Sequence, residues 1–374
     1  MEGAQIIVLA TPVFLLLIAV EYMVGVRRGR NTYRLHDALS SIGLGILSQI
    51  VGVFTKLATL GLYVLVFEHL APWHLPADEP WVWIAGLLLY DLCYYWRHRL
   101  GHTCALLWAA HVVHHQSEDY NLSTALRQSS TNWVGEWLFY LPLALAGLPP
   151  LVFAVVALID LLYQYWVHTQ QIGRLGWFDR WFCAPSNHRV HHAVNERYLD
   201  RNYGGMLIVW DRLFGTYQEE LADEPCVYGT RKPLGSWDPL WANLEVYADL
   251  LHDSRHARRW SDKLRVWFEP PGWRPADVAA RFPRPAFDLA ERRRYGPAVS
   301  RRASALAAAL FVALLGATSL FLWHAHRLAT PWQIGGAAAI VAGLWLVGRL
   351  GEGRPVPVTG YPSEGFPENR PPRG

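Results

Sequence analysis

Apolar residues in this chain fall in long blocks separated by short polar stretches, a pattern that predicts helices sized for a bilayer. Residues 5–26 are nearly all apolar and end at Arg27, Arg28 and Arg30, with Arg34 close behind. No positive charge precedes the run and no small-residue cleavage site follows it, so an uncleaved anchor with its basic end in the cytoplasm is expected. Residues 38–70 form a second apolar run. It is longer than one crossing needs, so it tilts, kinks near Gly52 or Lys56, or folds as a hairpin. The acidic loop after it, with Asp78 and Glu79 and no Lys or Arg, favours a single crossing. A third span is expected from Trp81 to about Arg99, and a helical hairpin over 133–167 around the breakers Gly147, Pro149 and Pro150. Two further spans are expected at about 304–323 and 332–349.

Between 173 and 300 the chain is polar, basic and rich in Trp and Pro. An amphipathic helix is expected at about 239–266. Its Arg255, Arg258, Arg259, Lys263 and Arg265 suit either an anionic membrane surface or a solvated face. The expected organisation is anchor helices over 1–80, a central region over 81–275, a linker with membrane helices over 276–350, and a disordered tail over 351–374. The fold class is therefore all-α: a polytopic helical membrane protein.

Composition agrees with this reading. Hydrophobic residues make up 52% of the 374, and there are 19 Trp. A net charge of +3 with no basic-aromatic module argues against a nucleic-acid partner. Cys93, Cys104, Cys183 and Cys226 are scattered, with no CxxC pair, and read as ordinary thiols in a reducing compartment.

Candidate chemistry lies in the histidines. His98 and His102 are four apart; His111, His114 and His115 follow, and the same spacing returns in His188, His191 and His192. On helices each set shares one face. Imidazole suits iron, zinc, copper and nickel, and eight such groups exceed one tetrahedral site, so two metal ions are the simplest accounting. His168, at the end of a predicted membrane helix, is a ninth candidate ligand. A histidine-rich di-metal site capping the bundle on its cytoplasmic face is expected. Interfacial histidines at helix ends are the bland alternative. Supporting residues are expected around it. Asp91 lies two helical turns before His98 and Gln164 one turn before His168, while Asn121, Asn195 and Asp211 flank the other clusters. A zinc-dependent membrane hydrolase is one rival class, though HExxH is absent. A non-catalytic metal sensor or lipid-binding protein is another.

HRLGH, HVVHH and HRVHH resemble the three clusters of the fatty acid hydroxylase/sterol desaturase superfamily of membrane di-iron enzymes. A narrower resemblance over about residues 90–275 is to the alkylglycerol monooxygenase family, carried by HHQSEDYNLSTALRQS, LLYQYWVH, APSNHRVHH, NYGGMLIVWDRLFGTY and EPPGWRP. The resemblance implies an O2-dependent lipid monooxygenase with two Fe ions on the nine histidines. It also implies attack on the ether-adjacent carbon of a glycerol ether lipid, and tetrahydrobiopterin as reductant. A sterol or fatty acyl hydroxylase or desaturase fed by an external electron donor is the nearest alternative. Asn121, Arg127 and Gln128 would meet a lipid headgroup or cofactor. Thr103 stands where that family pattern has an acid, and Asn187 where it commonly has histidine.

Overall fold

The computed structural model describes residues 3–353, and the expected tail lies outside the described residues from 354 onward. Six long helices set the frame: α1 (Gly3–Arg27), α2 (Leu35–Leu70), α3 (Pro80–Thr103), α4 (Ala105–His115), α5 (Pro150–Trp166) and, after the short α6 (Pro185–His191), α7 (Pro239–His256). Helix α8 (Trp260–Phe268) follows, and α9 (Arg301–His324) and α10 (Thr330–Gly351) form a closing hairpin. Among the described residues there are no strands beyond two isolated bridges.

The run at 38–70 is one unbroken helix of 36 residues, roughly 54 Å long at 1.5 Å per residue. Its length serves two cores. Leu44, Leu47 and Ile50 pack against Phe311 and Leu314 of α9 and Ile340 and Leu344 of α10. Further along, Tyr63 and Val66 pack against Val82, Tyr90 and Tyr94 of α3 and Val152 and Val156 of α5. Val112 and Val113 of α4 join the first core, so the histidine-bearing helix is wedged into the bundle.

Four helical stretches are long and apolar enough to cross a membrane: Gln5–Arg27, Leu35–Lys56, Arg301–Arg327 and Thr330–Gly351. The expected third span is α3, which is long enough but is not among the four. The expected hairpin is lopsided. Its first arm is the ten-residue Glu136–Leu145 stretch, too short to cross, and its second is the 17-residue α5, which is also not among the four. Gly147 makes the elbow at φ +77°, and its carbonyl accepts from the Leu75 amide at 2.9 Å. The amphipathic stretch also divides: Ala257–Arg259 breaks it into α7 and α8. Helix α8 leaves Trp260, Leu264 and Phe268 exposed at helical spacing.

Close approach fixes α2 against the segment after α4. A Cβ at Gly45 would sit 2.2 Å from the Leu126 carbonyl oxygen, a main-chain atom that cannot swing away. Gly45→Ala is expected to destabilise the protein by about 1–3 kcal/mol, the usual range for overpacking. It would be read as a lower unfolding midpoint in detergent.

Candidate metal centre

The nine histidines arrive on four pieces of chain. α3 brings His98 and His102, α4 brings His111, His114 and His115, the turn after α5 brings His168, and α6 with its C-cap brings His188, His191 and His192. They converge as two groups. One is His98, His102, His111, His115 and His191; the other is His114, His168, His188 and His192, and within each group the ligand atoms lie within 4.8 Å of one another. Helix geometry explains the partition. At 3.6 residues per turn, His111 and His115 diverge by about 40°, whereas His114 lies about 100° from His115. HxxHH therefore aims its first and last imidazoles at one point and its middle one at a neighbouring point. α6 repeats the division, sending His188 and His192 one way and His191 the other. The rings of His115 and His192 stack across the boundary with centroids 4.3 Å apart.

Main-chain carbonyls orient these rings. The Nδ1–H of His98 donates to Tyr203 O at 2.8 Å, that of His114 to Arg127 O at 2.8 Å, that of His168 to Gln164 O at 2.8 Å, and that of His191 to Arg201 O at 3.0 Å. Each such bond leaves Nε2 as a bare lone pair. Yet Nε2 of His114 and Nε2 of His168 stand 3.1 Å apart. With both protons committed to carbonyls, this is lone pair against lone pair, not a hydrogen bond. In the other group, Nε2 of His102 and Nε2 of His191 are buried with no hydrogen-bond partner among the described residues. Both observations fit a cation between the rings, and an all-imidazole donor set fits a first-row transition metal. Burial pushes the His114 imidazole down to about 4, and those of His111, His115, His188, His191 and His192 well below the ordinary value. They are neutral at pH 7, the form that ligates.

The loop supplying two of these carbonyls is heavily braced. Asp200 and Asn202 adopt left-handed backbone, at φ +55° and +57°. Asn202 is held by the Gln218 main chain at 2.8 and 2.7 Å. Asp211 accepts from the Tyr203 and Gly204 amides at 2.7 and 2.8 Å and from Thr216 Oγ1 at 2.6 Å. Asp91 accepts from the Met206 and Leu207 amides and Trp210 Nε1 at 2.7, 3.1 and 2.8 Å.

Several supporting residues therefore act differently from expectation. Asp91 meets no histidine: it pins the loop that presents Tyr203 O to His98. Gln164 orients His168 through its main-chain carbonyl, while its side chain binds Tyr94 and Asp160. Asn121 caps the helical turn Leu122–Ala125 and donates to Thr32 O at 2.7 Å. Asn195 ties down Pro225 and Val227. Arg127 is 1% exposed and donates to Val113 O at 2.7 Å, so its side chain is internal bracing rather than a headgroup contact. Gln128 does line the cavity described next. Sequence reasoning missed Arg201, Tyr203 and Asn202. The run RNYGG was their one signal, as a turn-forming segment.

A cavity of about 240 Å³ opens from His111, His114 and His168 into the bundle. Its deeper walls are apolar and come from α1, α2, α5 and α9, including Ile7, Ile46, Leu161 and Leu315. Residues 83–216 match the family model for fatty acid hydroxylase. This stretch is similar to fatty acid hydroxylases. It carries all nine histidines, both carboxylates that brace the loop and the polar end of the cavity. The chain is also similar to alkylglycerol monooxygenases: 41% identical to that of Homo sapiens over 71% of this chain and 59% of the relative, and 39% to that of Danio rerio over the same shares. It is 33% identical to an ornithine lipid hydroxylase of Rhizobium tropici over 36% of this chain and 41% of that one. The chain thus spans about three fifths of the length of the alkylglycerol monooxygenases it matches. No solved structure matches it.

Two outcomes follow for the histidine centre. Replacing His168 with Ala empties the four-imidazole group and leaves the five-imidazole group intact, so elemental analysis should find metal content falling to about half. For acid sensitivity, a histidine whose folded pKa is depressed contributes stability above its unfolded value of 6.5, lost as pH falls towards the folded value of about 4. Metal retention and folding, followed by dialysis and thermal melting, should be full at pH 7 and lost across that window.

Proposed function

We propose that the protein is an O2-dependent lipid monooxygenase that hydroxylates the ether-adjacent carbon of an alkylglycerol, giving a fatty aldehyde and glycerol. Its two ions are iron, divided between the five- and four-imidazole groups. The observation that carries this reading is the meeting of two adjacent all-histidine groups with the polar end of an apolar cavity in the membrane part of the bundle. Similarity to alkylglycerol monooxygenases supports the substrate class.

Bound iron would supply reductive activation of O2. The chain's own contribution is coordination, orientation and exclusion of water. One oxygen atom of O2 enters the C–H bond and the other leaves as water, with two electrons from an external reductant of the tetrahydropterin class. The resulting hemiacetal collapses to aldehyde and alcohol. The apolar cavity walls would take the alkyl chain, so that its oxygen-bearing end lies beside His111, His114 and His168. Imidazoles kept neutral by burial hold the ions without carrying charge of their own. The basic residues at and just after the end of α1, Arg27, Arg28, Arg30 and Arg34, support a metal centre on the cytoplasmic side, where a soluble reductant has access.

Purified protein, loaded anaerobically with ferrous iron, should consume O2 and release hexadecanal from 1-O-hexadecylglycerol when a tetrahydropterin is present. His114→Ala should abolish this, a loss of at least about 10³-fold for removal of a ligand whose metal does the chemistry. Product only with a redox protein, or from a sterol or fatty acid instead, would transfer the assignment within the family. Zinc alone, with no O2 uptake, would sink it.

A further inference from the structure

One turn below the histidines the cavity has a polar layer that metal binding does not use. Tyr94 and Gln164 stand four residues before His98 and His168 on their helices. The Tyr94 hydroxyl donates to Gln164 Oε1 at 2.6 Å, and Gln164 Nε2 donates to Asp160 Oδ2 at 2.6 Å. Beside them, the Arg97 guanidinium carbon lies 5.3 Å from the Tyr94 ring centroid, and Arg97 Nη2 is 2.8 Å from Glu136 Oε1. Tyr94, Arg97, Asp160 and Gln164 all line the cavity, together with His111. Ionisable groups at this depth are expensive, and apolar residues of similar volume would pack the same space at lower cost. The Arg97 guanidinium pairs with Glu136 through Nη2 and lies beside Tyr94 and Tyr140, and its side that lines the cavity can donate to a ligand.

The geometry points to this layer, centred on Arg97, as a subsite for uncharged oxygen atoms of the lipid: the ether and hydroxyl groups next to the carbon that is oxidised. The inference rests on the monooxygenase reading above and adds the means of substrate selection. Charge decides the class. Glu136 already neutralises Arg97. A carboxylate or phosphate headgroup would compete with Glu136 for the one guanidinium. A hydroxyl can accept from Arg97 and donate to a carboxylate or to Gln164 Oε1, so it gains on both sides. An apolar chain without oxygen would leave the layer unpaired. The subsite therefore favours neutral glycerol ethers over fatty acid anions, and over hydrocarbons of equal length.

The test is equilibrium binding without O2, on the full chain in nanodiscs, so that no turnover intervenes. The probes are 1-O-hexadecylglycerol, palmitate and hexadecane. Wild type should prefer the alkylglycerol to palmitate by at least about tenfold, the scale of one charge-assisted hydrogen bond. Arg97→Gln should weaken alkylglycerol about tenfold while leaving hexadecane unchanged, and Glu136→Gln should strengthen palmitate by a similar factor. Arg97→Lys, which keeps the charge and loses the planar fork, gives the same reading if the glutamine variant does not fold. A wild type that prefers palmitate, or Arg97 variants that bind alkylglycerol as wild type does, would overturn the subsite. If alkylglycerol is turned over but its affinity ignores Arg97, the subsite alone fails. If the predicted binding pattern appears without turnover, the subsite stands and the monooxygenase reading fails.

Discussion

Repulsion between buried lone pairs is the constraint around which this protein is built. Nine imidazoles are brought inside a helical bundle, and the carbonyls of Tyr203, Arg127, Gln164 and Arg201 fix which nitrogen of four of them carries the proton. The bare Nε2 atoms of His114 and His168 then face each other at 3.1 Å. Left alone, such a cluster would push apart or fill with water. A cation converts the same repulsion into coordination, so metal binding and the folding of this region are one equilibrium. The HxxHH spacing divides the histidines into two groups, because no single point lies in front of three imidazoles spread over about 100° of helix.

Everything around the centre serves rigidity. A loop with two non-glycine left-handed residues, Asp200 and Asn202, is an unfavourable way to run a chain. It persists because Asp91, Asp211 and the Gln218 main chain hold it from three directions. The gain is that Arg201 and Tyr203 present their carbonyls to histidines of the same group. Two buried carboxylates, each satisfied by amide donors, thus fix ring orientation at one remove without placing negative charge beside the metals.

The sequence makes the ligands and the spans legible because both are local signals. Apolar blocks announce helices, and histidines at spacings of three and four announce shared faces. The supporting shell is not legible in the same way. A main-chain carbonyl has no side-chain signature, so nothing in the letters of Arg127 or Gln164 reveals that their backbone oxygens orient His114 and His168. Charge near a cluster is also a poor guide. Arg127 reads as a headgroup contact and is instead buried bracing, while Arg97, inside an apparent membrane helix, faces the cavity. Asp91 stands two helical turns before His98, but its partners lie 115 to 119 residues away, where no periodicity reaches. The lopsided hairpin has a similar cause. Its turn signals fix where the chain bends, but the length of the first arm depends on Gly147 locking against Leu75.

Polar groups in the membrane part of the bundle divide by whether they are consumed internally. Glu21 is spent on Tyr33, Thr169 and the Leu122 amide, and Asp91 on the loop. These are structural locks, and their cost is offset by full hydrogen bonding. Arg97 and Asp160 are only partly spent, and both line the space beneath the metals. A bundle selected for stability alone would have replaced them with apolar side chains. Their persistence beside and beneath the clustered histidines is what a site needs if it must grip the oxygen end of an otherwise featureless chain.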